Sequence, residues 1–196
     1  MRVDAILNIV IKKEYIGEHM TKIAVFVGSL RKESINKTLA QELETLLPEG
    51  TTFEYANLQV PLYNQDLEAA FPAEAQALKD LAESADGVLF VTPEYNRAVP
   101  GVLKNAIDWA SRPWGTNSFD GKPAAIIGAS MGPLGTTQAQ QQLRNVALYL
   151  NTKLLGQPEL YINNAQAHNS EGALTPEATE LYKGFLNTFL AHVAKG

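Results

Sequence analysis

The chain has no cysteine. Disulfides, a thiol nucleophile and cysteine-ligated iron–sulfur clusters are therefore excluded. No apolar run approaches the roughly 20 residues that a membrane-spanning helix needs. The stretch at residues 5–11 is apolar but short. It is followed by Lys12, Lys13 and Glu14, and no small-residue cleavage site marks it as a signal peptide. Positive charge is in deficit: 16 Lys and Arg face 21 Asp and Glu, for a net charge of −5. That balance gives no electrostatic reason to bind nucleic acid or to insert into an anionic membrane. The cytoplasm is the expected compartment. The three histidines, His19, His168 and His192, are scattered without metal-ligand spacing or a nucleophile partner.

What remains is a chain of 196 residues with 45% apolar content, enough for one domain with a sizeable core. Residues 1–19 differ in character from the rest, and Met20 is followed at once by a strand pattern. Residues 1–19 are expected to be an extension outside the core, and residues 20–196 a single domain.

Strand and helix patterns alternate from there. The runs 22–28, 87–92 and 124–129 are continuously apolar, as strands buried on both faces of a parallel sheet must be. Thr52–Ala56 reads as a further strand. Leu154–Leu160 is a poorer fifth strand, interrupted by Gly156 and Pro158. Helical spacing of apolar residues predicts helices over 34–47, 73–84, 100–110, 135–150 and about 175–194. Trp109 shares that spacing with Leu103 and Ala106, and reads as packing. The pattern predicts an α/β fold: a five-stranded, doubly wound parallel sheet of order 2-1-3-4-5, with helices on both faces. Ligands of such sheets bind beyond the carboxyl ends of the strands.

Three unusual loops fall at those ends. The first, 28–36 (GSLRKESIN), leaves a buried strand and opens a helix. Its Ser29, Arg31, Ser34 and Asn36 suit a phosphate held at a helix N-terminus. It is neither a P-loop nor a G-x-G-x-x-G fingerprint. Ser34 also reads as an ordinary helix cap. The second loop, Thr92-Pro93-Glu94-Tyr95-Asn96, can offer main-chain amides and an aromatic wall to a flat heteroaromatic ring. A surface turn with an exposed tyrosine would use the same residues. The third, Ser130-Met131-Gly132-Pro133-Leu134-Gly135, is small enough for a ring to approach its backbone, and read alone it equally suits a flexible strand–helix connector. The helix that follows would place positive potential near the ring.

Together GSLRKESIN, VTPEYN with VPGVLKNAIDWASRP, and GKPAAIIGASMGPLG resemble the NADPH-dependent FMN reductase family. The nearest resemblance is to the bacterial NAD(P)H:quinone reductases also described as chromate reductases. It extends over residues 21–194. It implies a flavodoxin-like fold, noncovalent FMN and NADPH or NADH as co-substrate. It implies phosphate contacts from Ser29, Arg31, Ser34 and Asn36, and ring contacts from Pro93, Glu94, Tyr95, Asn96, Ser130, Met131, Gly132 and Gly135. It further implies a homo-oligomer, a tetramer favoured and a dimer possible, supported by Arg144 and Glu159. Trp114 and Asn117 depart from the pattern in a variable loop, which bears on substrate preference.

The implied activity is transfer of a hydride from the nicotinamide to FMN and of electrons to a small-molecule acceptor such as a quinone. No protein residue is needed as acid or base. Two alternatives stand beside it: a reductase that supplies free reduced flavin to a monooxygenase, and a flavodoxin-type electron carrier. The latter would favour a loop rich in Ser and Thr and stronger acidity.

Overall fold

The computed structural model describes residues 20–196, so the expectation for residues 1–19 lies outside them. Five parallel positions form the sheet. Its strands are β1 (Thr21–Val27), β2 (Thr51–Tyr55), β3 (Gly87–Val91), β4 (Pro123–Ser130), β5 (Lys153–Leu154) and β6 (Leu160–Asn163). The order is β2-β1-β3-β4-β5, with β6 also paired to β4. The expected strand over 154–160 is therefore corrected. Lys153 and Leu154 pair with Pro123 and Ala124, and Leu160–Asn163 pair with Ile127–Ser130. Gly156 and Pro158 lie in the gap, where the chain leaves the ladder and rejoins it.

Helices cover both faces. On one side α1 (Ile35–Thr45) and the C-terminal α6 (Pro176–Val193) pack Leu39, Leu43, Tyr182, Phe185 and Phe189 against Ile23, Val25, Leu89 and Ile127. On the other, α2 (Ala73–Ser84), α3 (Gly101–Ala110) and α4 (Thr137–Tyr149) pack Leu78, Leu103, Ile107 and Leu143 against Phe26, Phe90 and Ile126. Successive strand residues thus point to opposite cores, which is why β3 reads as an unbroken apolar run. Each fully buried aliphatic or aromatic side chain contributes about 1.5–3 kcal/mol.

Local chemistry sets the helix ends. Ser34 caps α1 by accepting from the Lys37 N–H at 3.3 Å. Thr175 caps α6 with Pro176 behind it, accepting from Ala178 N at 3.1 Å. Pro100 sits at the N-cap of α3, so the helix starts one residue later than the expected 100–110. Trp109 is fully buried as packing. Its Nε1 donates to Pro61 O at 2.7 Å, and Tyr63 and Phe71 meet its ring edge-on at 5.0 Å. Two short elements escape the sequence patterns: a 3-10 turn at Gln65–Ala70 and α5 (Asn164–Ala167). Neither is long enough to show a period.

Candidate functional site

All three loops emerge at the carboxyl end of the sheet, after β1, β3 and β4. In the first, Gly28 is buried between Pro93 and Leu103. An added Cβ would stand 3.2 Å from each. Its N–H donates to Val91 O at 2.9 Å, so the exit of β1 is bonded to the end of β3. Ser29 Oγ accepts from Arg31 N at 3.3 Å and curls the loop back. Arg31, Lys32 and Lys37 are exposed and, with Ser29, Tyr55 and Asn57, line a depression of about 360 Å³. This is a cationic region in an acidic protein, beside a helix start whose first-turn N–H groups face the loop.

Asn36 faces the other way. Its Nδ2 donates to Ala129 O and its Oδ1 accepts from Ala129 N, both at 2.9 Å, in a buried setting. The side chain expected on the phosphate is a two-point strut between α1 and β4.

The second loop turns sharply. Asn96 and Arg97 both have left-handed backbones, with φ of 52° and 65°, and Tyr95 and Ala98 pair across them. This is the twist of a two-residue hairpin turn, which Asn tolerates well and Arg at a cost of about 1 kcal/mol. Pro93 is buried and Tyr95 exposed. The Glu94 carboxylate reaches α4, where Oε2 accepts from Gln138 N at 2.8 Å and from Ala139 N at 3.0 Å. The start of α4 is therefore not the unopposed positive pole expected beside the ring.

The third loop is braced from within. Ser130 Oγ donates to Gly135 O at 2.8 Å and accepts from Gly132 N at 3.2 Å. Gly135 has φ of 57°, and a Cβ there would lie 2.7 Å from the Tyr161 backbone. Gly132 has open space, with only Ser130 Oγ at 3.7 Å. Met131 and Leu134 are exposed, and with Tyr95 they place large apolar side chains on two of the loops.

Several residues of this frame were not singled out in the sequence. Gly128 lets β4 pass Thr92 O and Thr136 Oγ1, each within about 2.2 Å of where a Cβ would be. A glycine inside an apolar strand was the available signal. Gln140 donates to Thr136 Oγ1 at 3.1 Å and Leu160 O at 2.8 Å, and Gln142 clamps the second loop. Both lie in a helix rich in glutamine, where no spacing separates the buried amides from the solvated ones.

Arg144 and Glu159 do come together, at 3.2 Å between Nε and Oε1, within one chain. The angle falls short of a hydrogen bond and leaves Nε without one. Arg144 Nη1 donates to Leu155 O at 3.2 Å, and Tyr161 donates to Glu159. Lys104 pairs with Asp108 at 2.8 Å as a surface ion pair. Trp114 and Asn117 lie in the loop before β4, at the opposite end of the sheet, where both line a cavity of about 920 Å³. They do not border the three loops of their own chain, and the larger cavity is not at the convergent loops.

Among known proteins, the chain is 50% identical over 171 residues to a 2-hydroxy-1,4-benzoquinone reductase from Burkholderia sp., covering 86% of this chain and 92% of that one. The solved structure of FerB, a flavoenzyme NAD(P)H:(acceptor) oxidoreductase from Paracoccus denitrificans, matches with a TM-score of 0.83 at 44% identity, covering 89% and 98%. A flavodoxin variant from Pseudomonas aeruginosa matches with a TM-score of 0.54 at 18% identity, covering 90% and 100%, and speaks to the flavodoxin-like fold alone. The family model for NADPH-dependent FMN reductase matches residues 21–167, which hold the sheet and all three loops, and the chain belongs to that family.

Proposed function

We propose that the three loops hold FMN and that the chain passes electrons from NADPH or NADH to a quinone or similar acceptor by a ping-pong mechanism. Family membership makes it an FMN-containing, NAD(P)H-dependent oxidoreductase. The observation that carries the site assignment is the bracing of the loops into one frame. Gly28 bonds the β1 exit to β3, Asn36 ties α1 to β4, and Glu94 ties the β3 loop to α4.

The donors present fit the cofactor. Ser29, Arg31 and the start of α1 at Ser34 would receive its phosphate. The turn of Pro93, Glu94, Tyr95 and Asn96 and the loop of Ser130, Met131, Gly132 and Gly135 would contact the ring along its edge and one face, the Glu94 carboxylate staying on the start of α4. Asn36 would act through the backbone it holds. The open space at Gly132 suits close approach of a flat ring. Bound FMN supplies the redox chemistry. The protein fixes the ring's place, presents main-chain donors to it and keeps one face open to both substrates. No side chain is needed as acid or base. We assign the acceptor class to quinones on the strength of the benzoquinone reductase relative. We further place the protein in the cytoplasm and in a homo-oligomer, a tetramer before a dimer, with Arg144 and Glu159 supporting it. Among the described residues no helix is long and apolar enough to cross a membrane.

The test is a visible spectrum of FMN-loaded, desalted protein during anaerobic addition of NADPH and then a benzoquinone. Retained bands that bleach and then return support the proposal, with parallel double-reciprocal rate plots for the ping-pong step. Retained flavin that NADPH cannot bleach would favour an electron carrier. Flavin lost on desalting but consumed as a substrate would favour the free-flavin reductase.

A further inference from the structure

The cap of α4 comes from elsewhere in the chain. Thr136, the residue before the helix, makes no side-chain cap bond, and it is buried with its Oγ1 taken by Gln140. The N–H groups of Gln138 and Ala139, which a local cap would normally serve, go instead to Glu94, 44 and 45 residues earlier. One turn further on, Gln142 Nε2 donates to Arg97 O at 2.8 Å and its Oε1 accepts from Val99 N at 3.3 Å. The second loop is thus sewn along the first two turns of the helix that the third loop opens.

The carboxylate has an electrical consequence beyond this geometry. A helix N-terminus carries about half a positive charge. A full negative charge placed on it leaves the ring-binding loops with less positive potential than the bare helix would give. A flavin gains negative charge on reduction, so this arrangement disfavours the reduced form relative to an uncapped helix. We propose that Glu94 is a positioning residue that also holds down the reduction potential of the bound FMN, making it a stronger donor to the acceptor. This rests on the flavin assignment above.

The experiment is a potentiometric titration of FMN-loaded protein, comparing the unmodified chain with Glu94→Gln and Gln138→Glu. The first variant keeps an oxygen for both N–H groups and removes the charge. The second adds a carboxylate at the same helix end, on an exposed residue. Glu94→Gln is expected to bind reduced FMN about tenfold more tightly relative to oxidised FMN, a rise of about 30 mV for a two-electron couple. Gln138→Glu is expected to lower the potential. A purely structural role would weaken both redox forms alike and leave the potential in place, and that result with FMN retained overturns the proposal. If Glu94→Gln does not fold, Gln138→Glu decides alone, and an unchanged potential overturns it. Failure of the unmodified protein to retain FMN is a separate outcome. It removes the flavin assignment and this proposal with it.

Discussion

Asn36 carries two buried hydrogen bonds to one residue of β4, and truncating it would strand the Ala129 N–H and C=O together. Each orphaned buried group costs about 1–3 kcal/mol, so Asn36→Ala is expected to lose about 3 kcal/mol. Urea unfolding of the flavin-free protein measures this directly. A phosphate ligand alone would make the same substitution neutral without FMN and harmful only with it. The sequence placed Asn36 correctly at the start of a helix, next to the loop that leaves β1. It could not show which way the amide turns, because its partner lies 93 residues away. Glu94 has the same history: its turn was legible, its helix was not. Ser34 was legible because a cap is a local contact, three residues long. The candidate site was therefore readable as loops and unreadable as struts.

Between elements, the clearest titratable link is the clasp of His168 on Glu42. It joins α1 to the segment that follows α5. His168 donates from Nδ1 to Asn164 O at 2.9 Å and from Nε2 to Glu42 Oε1 at 2.7 Å. Neither a carbonyl nor a carboxylate can donate in return, so the doubly protonated ring fits both partners. The Asn164 carbonyl, and then the Glu42 carboxylate, raise its pKa above the ordinary 6.5. From α6 the buried Tyr182 faces Glu42 and stays protonated well above the ordinary tyrosine range, first through burial and then through that carboxylate. A pKa raised on folding favours the folded state where the ring is charged. The clasp's contribution is complete below pH 6.5, the ordinary histidine value, and is lost as pH climbs through the raised one. Melting temperatures across that range are expected to fall more steeply for the unmodified chain than for His168→Gln. Identical slopes would refute it. At this scale the sequence was a good guide to strands and long helices, since both cores impose their period on it. The split of the fifth position into β5 and β6 was legible only as an interruption at Gly156 and Pro158. Pairing partners, not propensity, decide where a two-residue strand ends.

For the whole molecule, the question is whether the Arg144–Glu159 pair serves the chain or an assembly of chains. Within the chain it holds α4 to the link between β5 and β6, and its exposure is 12% and 27% for the two side chains. Such a half-buried pair with imperfect geometry contributes about 1 kcal/mol. Near the far end of α4, Leu148 and Tyr149 are exposed, as is Trp114 in the loop before β4. Large apolar surfaces of this kind commonly mark contacts between proteins. If the pair also supports assembly, Arg144→Ala will lower the order of the oligomer at protein concentrations where the unmodified chain is fully associated. Its melting temperature, measured on the separated chains, will drop by only a few degrees. Sedimentation velocity checks the first, and scanning calorimetry the second. The double exchange Arg144→Glu with Glu159→Arg restores charge complementarity. It should recover association beyond what the two single changes add up to. A purely internal pair predicts the reverse: stability falls in each single variant and recovers in the double exchange, while the sedimenting species stays the same throughout. The chain-internal contact to Leu155 O makes some loss of stability expected in either case. Association is therefore the readout that separates the two roles.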